Sequence, residues 1–265
     1  LWTALEQSQI PADVIWAESL SPEKLARYNV IVTLDNKLLT DRQAEMVRDW
    51  VKKGGVLIAG GTVSLMDAVE VPRSDYRLAD VFGVSYGGFA GVADPAKNDT
   101  LRFRPGPVLP APVESVMTLP AVIDHIHRDI KPVKSIGLYT VKANAALPGM
   151  AMGAACEYDM PLGYDKVKPG TAETLAMFAN NDPAITLNRF GEGLCYFWTP
   201  IYPALCYVGS DFENDANSKD FWPNVREALA AMVKGGLAHQ KAALPVDVTG
   251  VSKEVEVTVR QQPEQ

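Results

Sequence analysis

The sequence predicts an α/β fold, with a mostly parallel sheet in a three-layer α/β/α arrangement, and three observations carry that prediction. Two short apolar, β-branched runs, Asn29 to Leu34 and Val56 to Ala59, have the composition of strands buried on both faces. Between them lies a stretch with helical periodicity and a complete start signal. The second run ends in a small-residue turn, Gly60-Gly61-Thr62-Val63-Ser64. Ligands of such sheets bind beyond the carboxyl ends of the strands, so this turn is the first place to look for chemistry.

Taken in order, Trp2 to Gln9 reads as a first helix, and Pro11 begins the step into a strand at Asp13 to Ala17. Ser21 to Tyr28 has an N-cap serine and a proline at the first helical position, which predicts a short helix. After the strand at 29–34, Thr40 offers an N-cap and Gln43 completes a capping box. Ala44, Val47 and Val51 recur at helical spacing, while Arg42, Glu45, Arg48 and Lys52 fall mostly on the other side. Gly54-Gly55 supplies the left-handed residue that ends a helix. A crossover of this length between parallel strands is right-handed in nearly all cases.

Arg77 to Phe82 predicts another short helix, ended by Gly83, and Val84 to Tyr86 begins a strand. From Phe89 to about Pro120 the texture changes: prolines at 95, 105, 107, 110, 112 and 120 exclude a long helix and predict a surface excursion, with Thr100 to Arg104 as an edge strand. Ser135 to Val141 and Met150 to Tyr158 read as strands, and Thr171 to Ala179 as a helix. Pro183 to Thr186 and Arg189 to Phe197 read as two strands, the second entered through a tight glycine turn. Phe221 to Lys234 is a final amphipathic helix, entered through Pro223 and closed by Gly235-Gly236. Glu254 to Arg260 alternates strictly, the pattern of a half-exposed antiparallel strand.

Composition narrows the function classes. An apolar content of 47% over 265 residues is ample for a core. A formal net charge of −7 argues against a nucleic-acid or anionic-membrane surface. The longest apolar stretches are strand length, so no membrane-spanning helix is expected. The three cysteines, Cys156, Cys195 and Cys206, fit neither a disulfide framework nor a zinc spacing, and read as small buried hydrophobes that leave the compartment open. Leu1 is not a start methionine, and the chain reads as a piece of something longer.

His125 and His127, with Asp124 and Asp129 close by, would face one side of a strand, but no third ligand stands at motif spacing. They read as a surface pair, and no metal or other cofactor is expected. The aromatics Tyr196, Phe197, Trp198, Tyr202, Tyr207, Phe212, Phe221 and Trp222 read first as core; Trp198 and Tyr202 are the candidates for an interface or for stacking on a sugar. The acidic segment 208–220 reads as a solvated loop, lacking the spacing of a calcium loop.

The run from Tyr28 to Asp67, YNVIVTLDNKLLTDRQAEMVRDWVKKGGVLIAGGTVSLMD, followed by YRLADVFGV at 76–84, resembles the trimerisation domain of family-42 β-galactosidases. Pro183 to Thr186 and Arg189 to Phe197 continue the likeness. The resemblance implies the class I glutamine amidotransferase-like, flavodoxin-like architecture. In amidotransferases of that fold the turn after this strand presents a cysteine, and a histidine follows the last strand. Here the turn reads Thr62, Val63 and Ser64, and 197–202 reads FWTPIY, so both catalytic positions are lost. A glycosidase needs two carboxylates across a sugar, usually on a β/α barrel, and no eightfold alternation is present.

The expectation is one amidotransferase-like domain over 1–245, with an irregular insertion near 89–181. Residues 246–265 form a linker and the first strand of a truncated C-terminal β domain. Its implied role is a non-catalytic accessory or oligomerisation module of a larger bacterial glycoside hydrolase-like protein. Its partners would be itself, as a homotrimer or other homo-oligomer, and a catalytic β/α barrel of the parent chain. Two alternatives stay open: a carbohydrate-binding module with its ligand over the turn at Gly60, Gly61, Thr62, Val63 and Ser64, and a hydrolase with a relocated site in 89–181.

Overall fold

The computed structural model describes residues 2–34, 36–69, 71–90, 139–141, 146–150, 155–156, 164–178, 180–199 and 222–244. In chain order these give α1 (Trp2–Gln7), α2 (Pro22–Leu25), β1 (Val30–Leu34), α3 (Asp41–Lys52), β2 (Val56–Gly60), α4 (Ala79–Phe82) and β3 (Val84–Ala90). Then follow β4 (Tyr139–Val141), β5 (Ala155–Cys156), β6 (Tyr164–Pro169), β7 (Glu173–Phe178), β8 (Pro183–Phe190), β9 (Gly193–Trp198) and α5 (Trp222–His239).

The main sheet is mixed, with strand order β1-β2-β9-β8-β7-β4-β5. The pairings β1/β2 and β2/β9 are parallel, and those from β9 through β5 are antiparallel. The connections explain the division. β1 and β2 are joined by α3, a crossover long enough to return the chain in the same direction. β8 and β9 are joined only by Gly191-Glu192, a turn that can link nothing but antiparallel neighbours. β3 and β6 pair antiparallel as a separate ribbon.

Alternation along β2 and β9 sends side chains to two cores, one on each face. Val56, Ile58, Tyr196 and Trp198 join the cluster that contains Ala4 and Leu5 of α1 and Leu229, Met232 and Val233 of α5. Leu57, Ala59, Cys195 and Phe197 join the cluster beneath α3 and α4. β2 is buried along its whole length, as a strand covered on both faces must be.

The local signals around α3 act as read. Gln43 N–H donates to Thr40 Oγ1 at 3.1 Å and Thr40 N–H to Gln43 Oε1 at 2.9 Å, closing the capping box. Ser21 caps α2 through Lys24 N–H, and Gly83 ends α4 at φ 68°.

Three expectations are corrected. The segment 13–16 forms no strand: it runs extended beside β1 without a ladder and passes into a 3-10 turn at Ala17–Ser19, leaving Trp16 73% exposed. Its hold on the neighbouring chain is instead a hydrogen bond from Tyr28 Oη to the Asp13 carboxylate, 3.0 Å. The stretch expected to be helical, 171–179, is β7, because pairing with β4 and β8 and burial of Leu175, Ala176 and Phe178 outweigh the helix preference of Glu, Leu, Ala and Met. Lastly, α5 does not stop at Gly235-Gly236 but runs through to His239. A Cβ at Gly235 would lie 2.3 Å from Ala146 O and 2.4 Å from Tyr196 Oη, and one at Gly236 2.7 Å from Val56 Cγ1. The pair lets the helix lie directly on the sheet. The readings at 100–104, 125–127 and 254–260, with Cys206, Tyr202, Tyr207, Phe212 and Phe221, lie outside the described residues.

Candidate functional site

The turn after β2 is built by tight backbone approach. A Cβ on Gly60 would lie 2.4 Å from Trp198 O, so only glycine lets β9 come this close. Gly61 (φ 67°) then turns the chain, its N–H donating to Trp198 O at 3.3 Å. Ser64 sits at φ 63°, a left-handed conformation that costs a non-glycine residue about 1 kcal/mol.

That strained serine is held from several sides. Its N–H donates to Asn36 O at 3.0 Å, its Oγ accepts from Arg77 N–H at 3.1 Å, and its carbonyl accepts from Arg77 N–H and the Arg73 guanidinium. Met66 N–H donates to Lys37 O, and Leu39 N–H to Met66 O, lacing the loop after β1 to the loop after β2. Arg73 Nη1 gathers three carbonyls, those of Leu39, Ser64 and Met66, while Nη2 pairs with Asp41 at 2.9 Å.

A charged lattice anchors this assembly to α3. Arg77 pairs with Asp41 at 2.8 Å and Glu45 at 3.0 Å; Arg48 grips Asp80 through two bonds and donates to Arg77 O. The hydrogen bond from Arg77 holds the Asp41 carboxyl below its usual value, assisted by attraction to Arg73. For Asp80, burial opposes ionisation, but the bonded Arg48 and nearby backbone amides outweigh it and lower its carboxyl too.

The chemistry available at the turn follows from exposure. Thr62 is 1% and Ser64 0% exposed, and Val63 is buried with them. The amides of Gly61, Ser64, Leu65 and Met66 all donate to chain carbonyls. His239 is at the other end of β2, where its Nε2 meets Glu192 O at 2.9 Å, about 13 Å away by the rise of a five-residue strand. A hydroxyl nucleophile needs a base in hydrogen-bond reach, and His239 is not in reach. Cys195 is wholly buried, and burial pushes its thiol well above the ordinary range. Among the described residues no group of three His, Cys, Asp or Glu could hold a metal, and no helix is long and apolar enough to cross a membrane.

Of the residues singled out from sequence, the structure brings Gly60 to Ser64 together with the backbone of Trp198. The Trp198 side chain is buried in the core at 2% exposure. Sequence reasoning passed over two features close by. Asp165 of β6 is 1% exposed, and its N–H bonds Thr199 O at 3.0 Å just past the end of β9. Burial first, then the charge of Asp165, pushes the Tyr86 hydroxyl up to about 12. Asn188, 2% exposed, donates to Asp80 O and Val81 O and accepts from Thr171, tying β8 to α4.

No family model and no curated protein matches the chain. Solved structures do. The β-galactosidase from Bacillus circulans sp. alkalophilus superposes with a TM-score of 0.57 at 16% identity, over 93% of this chain and 27% of that one. The β-galactosidase from Rahnella sp. R3 gives 0.56 at 15%, over 91% and 26%. That from the psychrophilic Marinomonas ef1 gives 0.51 at 10%, over 89% and 24%. The chain thus shares an α/β fold with about a quarter of the length of these β-galactosidases.

Proposed function

We propose that this chain is a non-catalytic accessory and oligomerisation module of a larger glycoside hydrolase-like protein, with the three-layer architecture of class I glutamine amidotransferases. Its partners are copies of itself and a catalytic β/α barrel. The observation that carries the reading is the closed turn: an elbow whose Thr62 and Ser64 hydroxyls are buried and whose Gly61 and Ser64 amides are taken up within the chain. The fold it shares with one quarter of several β-galactosidases supports the same reading, since a fold recurring as a quarter of larger enzymes fits an accessory part. The test is the mass of the purified chain in solution by light scattering coupled to size exclusion. A trimer, three times 28.8 kDa, is expected. A clean monomer that also turns over a galactoside or glutamine would sink the proposal.

A further inference from the structure

At the amino end of the sheet, opposite the elbow, three elements converge on a cleft of about 610 Å³. They are the end of α3, the β8–β9 turn and the end of α5. Their junction is rigid. A Cβ on Gly191 would lie 2.5 Å from Lys52 O, and one on Gly193 2.1 Å from Val51 O, so the turn fits against α3 only as glycine. Glu192 N–H donates to Lys52 O at 3.0 Å, and Gln240 Nε2 to Gly54 O at 2.6 Å.

Trp50 lies flat in this junction. A Cβ on Gly55 would meet three of its fused-ring carbons at 2.4 to 2.7 Å, so one indole face rests on the glycine Cα. The residue is half-buried, packs against the core beneath α3 and lines the cleft with the rest of its ring. Around it stand Asn29, Asp49, Lys53 and Glu192, whose side chains make no hydrogen bond or ion pair to described residues, and His239. Two helices end here, and helix carboxyl ends carry roughly half a negative charge each. Asp49 and Glu192 outnumber Lys53 by one charge, so the cleft favours hydroxyl donors over phosphate or carboxylate.

We propose that this cleft binds a neutral pyranose sugar, its C–H face stacked on Trp50 and its hydroxyls bonded by Asn29, Asp49, Lys53 and Glu192. An aromatic platform with a few convergent polar groups, in a volume within the range of small-molecule sites, is what such a ligand requires. The proposal goes beyond the oligomerisation reading and stands apart from it.

The experiment is calorimetric titration of the full chain with galactose, glucose and mannose, and with galactose 6-phosphate as an anionic control. Saturable binding of at least one neutral sugar is expected, weakened about tenfold in Trp50→Ala, with the phosphorylated sugar binding worse than its parent. No saturable heat from any of the three sugars, binding retained in Trp50→Ala, or tighter binding of the phosphate would each overturn it. Should Trp50→Ala fail to fold, by circular dichroism, the surface variant Asp49→Ala/Lys53→Ala carries the test, and undiminished binding there overturns the proposal. The oligomerisation reading is tested by mass together with turnover, which these titrations leave untouched.

Discussion

The two ends of β2 are built on opposite plans. At the carboxyl end most groups are taken up: the amides of Gly61, Ser64, Leu65 and Met66 on carbonyls, one arginine on three carbonyls, Ser64 Oγ on an amide. At the amino end the backbone is just as firmly joined, but Trp50 and a set of polar side chains line a cleft. A site needs both a rigid frame and groups left over for a ligand. By that criterion the carboxyl end of β2 offers the frame without the spare groups, although its position in the fold is the one where function is expected first.

Four measurements would break or sharpen this contrast, from the largest effect down. Gly193→Ala puts a methyl 2.1 Å from Val51 O and 2.3 Å from Gly55 O, both backbone atoms, and should cost about 3 kcal/mol in chemical denaturation. A change within about 0.5 kcal/mol would mean the amino-end junction is looser than described. Arg73→Ala takes a donor from three carbonyls, of which Ser64 O and Met66 O keep a backbone N–H partner, and should cost about 2 kcal/mol. Arg73→Lys should recover little, since one ammonium cannot match the guanidinium fork. If alanine is neutral here, the elbow is not locked by Arg73.

The next two use pH. Tyr196, whose hydroxyl donates to Ala146 O between the two ends, is pushed up to about 12 by burial. Its folded value is raised, so its contribution is complete below the unfolded value of 10.0 and is lost as pH climbs toward 12. Absorbance at the phenolate band should show several late-ionising tyrosines, Tyr86, Tyr164 and Tyr196, and Tyr196→Phe should remove one tyrosine's share of that late step. Asp80 has a lowered carboxyl, so its contribution is complete above the ordinary 3.8 and is lost as pH falls through its lower folded value. Melting temperature should hold from neutrality to about pH 4 and then decline, less steeply in Asp80→Asn. An identical acid limb in wild type and variant would dismiss the Arg48–Asp80 pair as a contributor.

What could be read from the residues depended on how local the cause was. The capping box at Thr40 and Gln43, the buried positions Ala44, Val47 and Val51, and the left-handed Gly83 answer to neighbours a few residues away, and all appear as read. The failures are long-range. β7 is a strand because β4 and β8 flank it, and α5 passes Gly235-Gly236 because Ala146, Val56 and Tyr196 lie beneath, none visible in a window of sequence. The turn at 60–64 was located correctly, but its closure rests on Arg73 and Arg77 meeting residues about thirty positions earlier. No reading of the sequence singled out Trp50. Its platform depends on Gly55 folding back beneath it, and Gly55 had been assigned only to ending the helix.

The burial of the elbow also limits what a single substitution could add there. A cysteine placed at Thr62 or Ser64 would enter a space that is 1% or 0% exposed, without a base in reach. It would share the condition of Cys195, a thiol held protonated by its surroundings. Creating a reactive group there would take simultaneous change at the two arginines and the loop they fasten, so no single substitution supplies one.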